Sequence, residues 1–216
     1  MSIGTIFLQL LEGFWVSVQI FALTLLFSMP LGMIVAFGRM SKNRLIRTIV
    51  KIYISIMRGT PLMLQILVVY FGPYYAFRIQ MGRGYRFPAV ILAFAINYAA
   101  YFAEIYRSGI ESIPMGQYEA AQIMGYNKTQ TFFKIILPQV FKRVLPPVTN
   151  ETITLVKDTS LAFTISVAEM FTTAKEIASA QTSMVPLLAA GIFYYIFNLV
   201  VATVMEGLEK KFSYYR

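Results

Sequence analysis

The 216-residue chain contains no cysteine and no histidine. The first absence excludes disulfides and thiol chemistry. The second removes the commonest general base and the commonest metal ligand. A hydrolytic triad, a zinc site and a histidine-ligated haem therefore have little to build on. The pattern G-x-x-x-x-G-K-[ST] is missing too, so the chain has no P-loop of its own. Charge is also scarce. Only 13% of the residues are charged, against roughly a quarter in a soluble domain.

Apolar residues fill the gap. They make up 57% of the chain, and the mean hydropathy is +0.63. One soluble domain of this length cannot bury so much apolar side chain, so the excess must face lipid or a partner. The net charge of +9 raises the question of nucleic acid. The cations flank apolar runs, however, as they do in cytoplasmic loops, and no solvated basic face is left for a nucleic acid. The opening segment has no basic region and no small-residue cleavage site before its long apolar run. It reads as mature sequence rather than a removed signal, with residues 3–11 expected to form a short interfacial helix.

A spanning helix needs roughly 20 mostly apolar residues. The expected all-α membrane domain has five spans, at about 13–38, 59–77, 87–103, 148–172 and 177–205, with Pro30 as a possible kink in the first. The fourth is weak by hydropathy because Glu151, Lys157 and Asp158 interrupt it, and a strict count stops at four. Ionisable residues inside a span usually face a bundle interior or a water-filled path, which argues for counting it. With five spans and the first loop inside, fourteen of the 19 Lys and Arg fall on the inner side. Arg78, Arg83, Arg86 and Lys175 fall outside, and Lys157 lies within the membrane. The bias places the N-terminus outside and the C-terminus in the cytoplasm. The loop 104–147 is then cytoplasmic.

That loop holds the strongest signal. It reads EAAQIMGYNKTQTFFKIILPQ from Glu119 onward. Glu119 offers a carboxylate, and Ala120 and Ala121 are small enough to let a short helix seat closely on a partner. Gly125 can end that helix because it tolerates positive φ. Pro138 marks a new start or a kink. The spacing of Glu119, Ala120, Ala121, Gly125, Ile135, Leu137 and Pro138 resembles the EAA loop, E-A-A-x3-G-x9-I-x-L-P, of binding-protein-dependent ABC importer permeases.

Three further stretches resemble the polar amino acid subfamily: MRGTPLMLQILVVYFG from Met57, AEIYRSGIESIPMGQYEAA from Ala103, and NETITLVKDTSLAFTI from Asn150. One departure is NYAAY, which puts Tyr98 and Ala99 where the family often has two small hydroxylated residues. The resemblance implies a type I importer permease fold in a bacterial plasma membrane. It implies a second permease copy or a similar sister chain, two ATPase subunits that hold the ATP and Mg, and an extracytoplasmic binding protein. No cofactor is expected in this chain. In the family the loop around Glu119 forms a coupling helix that docks on the ATPase. The cargo implied is a polar amino acid, with basic residues, glutamine, histidine and cystine all open.

Glu151, Thr154 and Asp158 fall at i, i+3 and i+7, on one helical face. Two carboxylates there suit an ammonium or other cationic group in a low-dielectric path; the competing reading is a salt-bridge network between spans. In the third span Asn97, Tyr101 and Glu104 fall at i, i+4 and i+7, with Tyr98 beside them. Asn97 can donate and accept, and a tyrosine offers a ring and a hydroxyl. The family's internal site, where one is seen, is built from these two spans. Gln65 is a candidate to line the path or to bond across helices. Glu104 is expected to pair with Arg58 or Arg107. Pro61 suits a first helical turn, with Thr60 as its cap.

The alternatives are an ion-coupled secondary carrier, a membrane-embedded enzyme and a structural subunit. The carrier class often shows internal repeats, and none is visible here.

Overall fold

The structure is a computed structural model and describes residues 3–212, with no strand among the described residues. Helix α1 runs over Ile3–Arg39 and α2 over Arg44–Gly59. Helices α3 and α4 cover Leu62–Phe77 and Arg86–Glu111. Helix α5 covers Met115–Ile123. The short α6 (Lys128–Gln130) passes through a π turn at Thr131–Ile136 into α7, Leu137–Asp158. A 3-10 segment, Thr159–Ile165, then leads to α8 (Met170–Gln181) and α9 (Val185–Phe212).

Among the described residues, three helices are long and apolar enough to cross a bilayer: Gly4–Arg39, Arg86–Glu111 and Val185–Phe212. Helices α2 and α3 together make a fourth candidate, bent by 110° at their junction. The short interfacial helix expected at residues 3–11 is not a separate element. Apolar residues continue through it without a breaker, and it forms the first turns of a 37-residue helix about 55 Å long. Pro30 does not interrupt α1. The stretch 177–205, read as one span from its continuous hydropathy, is divided. Thr182 takes a left-handed φ of 48° and ends α8 before α9 begins. The 148–172 stretch is likewise broken, at Ser166 (φ 55°).

Helix α4 is the centre of the bundle. Of its most apolar window, 61% is buried, against 11% for α9, so α9 offers its apolar surface outward. Phe94 and Phe102 are fully buried in the main core with Ile20, Ile66 and Leu155. Close approach of α1 and α4 depends on small residues, as is common where helices pack in lipid. A Cβ added at Gly32 would lie 2.8 Å from the Phe102 Cβ and 3.2 Å from the Ala99 carbonyl oxygen.

The α2–α3 break is pinned rather than loose. Thr60 does not cap α3; it ends α2, its Oγ1 donating to the Ile56 carbonyl at 2.8 Å, while Pro61 precedes α3 without a side-chain cap. Tyr53 donates to the Ile96 carbonyl of α4. Pro138 does not start a separate helix, because the chain is helical without a break from Lys128 onward. It stands in the first turn of α7, directly after the π turn, where its missing N–H breaks the ordinary ladder.

Candidate functional site

A hollow of about 300 Å³ lies between the α2–α3 junction, the middle of α4 and the end of α7. Six of the seven residues expected to touch cargo line it: Asn97, Tyr98, Tyr101, Glu151, Thr154 and Asp158. Thr60, Pro61, Leu62 and Leu161 complete the wall. The helical spacings in α4 and α7 therefore bring these groups to one place. The seventh residue, Gln65, is not in the wall. Its Nε2 donates to Thr60 Oγ1 at 2.9 Å and to the Met57 carbonyl at 3.0 Å. Its Oε1 accepts from Asn97 Nδ2 at 2.9 Å. Gln65 thus bonds across helices and ties the α2–α3 break to α4.

These bonds set the character of the hollow. Asn97 gives both amide hydrogens to protein, one to Gln65 and one to the Met57 carbonyl at 3.0 Å. Only its Oδ1 is left to offer. Tyr98 is buried and donates to Asp158 Oδ2 at 2.7 Å. Thr154 donates back to the Asn150 carbonyl at 3.0 Å, leaving its lone pairs. No lysine or arginine lines this hollow. Lys157 is exposed, on another side of α7. Apart from the Tyr101 hydroxyl, which has no hydrogen-bond partner among the described residues, the side-chain polar groups of the wall offer acceptors.

Glu104 pairs with Arg107, as does Glu111. It lies outside this hollow.

The second expected site is α5. Glu119 and Ala120 are exposed, so both can meet a partner. Ala121 is not available: it is 1% exposed. One residue further along a helix turns the side chain by 100°, and here that turn carries it inward. Gly125 adopts φ 79°. Its N–H donates to Gln122, and the Tyr126 N–H to Ala121, each at 3.0 Å. This is a Schellman termination, in which a glycine in the left-handed region satisfies the last carbonyls. Asn127 and Gln130 then cap the next turn reciprocally.

Sequence reasoning missed two features. Met115 and Ile123 share the Glu119 face of α5 at i−4 and i+4 and are 70% and 88% exposed, with Met124 at 70% beside them. They give α5 an exposed apolar strip beside Glu119, and the helical spacing was there to be read. The other is Glu169, which is fully buried. Its carboxylate caps α8 through the Phe171 and Thr172 N–H groups, both at 2.7 Å, and accepts from Tyr194 of α9 at 2.9 Å. Ser17 of α1 reaches it at 3.4 Å. Asp, Asn, Ser and Thr are the usual caps, so a glutamate gave no signal.

Residues 28–214 match the family of binding-protein-dependent transport system inner membrane components. The L-cystine transport system permease protein TcyB of Bacillus subtilis (strain 168) is 36% identical over 205 residues, 94% of this chain and 86% of the relative. The arginine transport system permease protein ArtQ of the same organism is 32% identical over 203 residues, 94% of this chain and 91% of the relative. A crystal structure of an amino acid ABC transporter with histidines has a TM-score of 0.85 at 28% identity, covering 94% of each chain. The MetNI methionine ABC transporter in an inward-facing conformation has a TM-score of 0.74 at 17% identity, covering 99% of this chain and 100% of that one, a likeness of fold alone. The family match runs through every element that lines the hollow and through the α5 turn, so the chain belongs to the inner membrane components of binding-protein-dependent transport systems, with the permease fold of type I ABC importers.

Proposed function

We propose that this chain is the transmembrane subunit of an ATP-driven importer. Its cargo is a polar amino acid, or a close analogue such as cystine, received from an extracytoplasmic binding protein. One observation carries the reading: the hollow offers lone pairs from Asp158, Glu151, Thr154 and Asn97 and no lysine or arginine. An ammonium group brings hydrogens and no acceptor, so it complements such a wall. Relatives named for cystine and arginine transport support the same class of cargo.

The chain itself does no covalent chemistry; a partner ATPase binds and hydrolyses ATP with Mg. Helix α5 docks on that ATPase through Glu119, Ala120 and the exposed Met115 and Ile123. Two permease subunits, this chain twice or this chain with a similar sister, enclose the path, and two ATPase subunits drive it. In a bacterial plasma membrane the chain makes five crossings: α1, α3 with α2 bent away from its inner end, α4, α7 with its 3-10 continuation, and α9. The N-terminus is outside, and α5 and the C-terminus are cytoplasmic, as the distribution of Lys and Arg supports.

The test is uptake by vesicles holding this chain, its ATPase and its binding protein. The importer reading expects uptake that needs ATP and survives collapse of proton and sodium gradients. Uptake driven by an ion gradient without ATP would restore the secondary-carrier reading.

A further inference from the structure

The acceptor-lined hollow explains how an ammonium group is held but leaves an amino acid's carboxylate without a partner. A second hollow supplies one. It is larger, about 450 Å³, and adjoins the first, since Tyr101 and Glu151 line both. Three arginines lie in or beside it, and two are engaged. Arg107 pairs with Glu104 and Glu111, and Arg143 donates to the Ser112 carbonyl. The third, Arg58, makes no hydrogen bond and no ion pair within 4 Å among the described residues. It is exposed to the hollow, and its guanidinium carbon stands 5.2 Å from the centroid of the Tyr101 ring. Its depth is that of the cargo hollow, because the neighbouring Met57 carbonyl accepts from Asn97.

This arrangement is unusual for a purely structural arginine. A cation at the end of α2 gains from the helix dipole, but that gain does not require a ring beneath it or an open hollow before it. Charged groups within a membrane domain are costly to keep and mark binding paths. A break between two helices can present such a group to cargo. The cation–π contact with Tyr101 restrains the guanidinium while leaving its N–H groups without a protein partner among the described residues. A planar fork of this kind matches a carboxylate with two parallel hydrogen bonds.

We infer that Arg58, seated on Tyr101 between the two hollows, is the subsite for the cargo's free α-carboxylate. The cargo's ammonium group lies toward Glu151, which borders both hollows beside Tyr101. Arg58 therefore sets specificity for zwitterionic α-amino acids over amines and amides. The inference rests on the proposed importer function and deepens it.

The test uses the permease–ATPase complex in nanodiscs without binding protein, so that the permease alone selects. Radiolabelled L-arginine, L-glutamine and L-cystine are offered by equilibrium dialysis, and the one retained is compared with its carboxamide. Wild type should prefer the acid by about tenfold, the scale of one charged hydrogen-bonded pair. Arg58→Gln should reduce that preference to about one, and Arg58→Lys, which keeps charge but loses the fork, should leave part of it. An Arg58→Gln complex that loses affinity for acid and carboxamide equally, or that keeps the wild-type preference, overturns the inference. If wild type retains none of the three acids, this subsite fails while the importer reading stands, provided vesicles still show ATP-dependent uptake. Loss of that uptake would sink the importer reading itself.

Discussion

The cargo hollow and the α5 turn stand in opposite relations to the rest of the chain. At and beside the hollow a set of bonds fixes several polar side chains: Tyr98 with Asp158, Asn97 with Gln65 and the Met57 carbonyl, and Gln65 with Thr60. On α5, Glu119, Ala120, Met115 and Ile123 are exposed among the described residues. A site for a small ligand has to be built in advance by bonds that fix which lone pairs remain. A surface for a rigid partner needs a held shape and uncovered side chains. One is a matter of preorganisation, the other of exposure, so mutations should separate them.

The largest effect is expected at Asp158. Its carboxylate accepts from Tyr98 and faces the hollow. Asp158→Ala should lower ATP-driven uptake about a hundredfold, since an ionic partner is worth roughly 1.5–3 kcal/mol, while the ATPase still co-purifies. Gly125→Val comes next and should do the reverse. A β-branched side chain at φ 79° is strained by about 1–2 kcal/mol. The α5 termination should loosen, ATPase co-purification should fall several-fold, and cargo binding by the permease should stay.

A finer division comes from two adjacent alanines. Ala120→Trp should block ATPase association without lowering the amount of protein in the membrane, because the position is exposed. Ala121→Trp should lower the amount of folded chain, because that position is buried. Identical outcomes on immunoblot and pull-down would erase the assigned orientation of α5. Smaller still is Gln65→Ala. It frees one Asn97 hydrogen and unties the α2–α3 break, for a loss of about 1 kcal/mol and a five- to tenfold rise in the cargo concentration needed for half-maximal uptake. Tyr98→Phe, which removes one hydroxyl but keeps the ring, should have the smallest effect, about threefold on the same curve.

The two regions also differed in how plainly their residues declared themselves. The α5 turn was legible as a motif, because a glycine in the left-handed region and a proline directly after a π turn each impose local backbone geometry. That these residues line one hollow was legible from helical spacing: Glu151, Thr154 and Asp158 share a face, as do Asn97 and Tyr101. Relations across helices were not. That Gln65 bonds Asn97, that Ala121 turns inward, and that Glu169 joins α1, α8 and α9 all depend on packing between elements distant in sequence. The break at Thr182 was hidden because hydropathy runs unchanged through it. Charge rather than hydropathy pointed to α7, and there the composition that weakened the case for a span marked the wall of the hollow.

The most direct test pairs two readings on one preparation. Vesicles carrying the Asp158→Ala chain with its ATPase and binding protein are assayed for cargo uptake and for ATPase retained on the permease. The account predicts full retention with uptake reduced about a hundredfold. Uptake at the wild-type rate with the ATPase in place would contradict it, because cargo would then be passing without the acceptor-lined hollow.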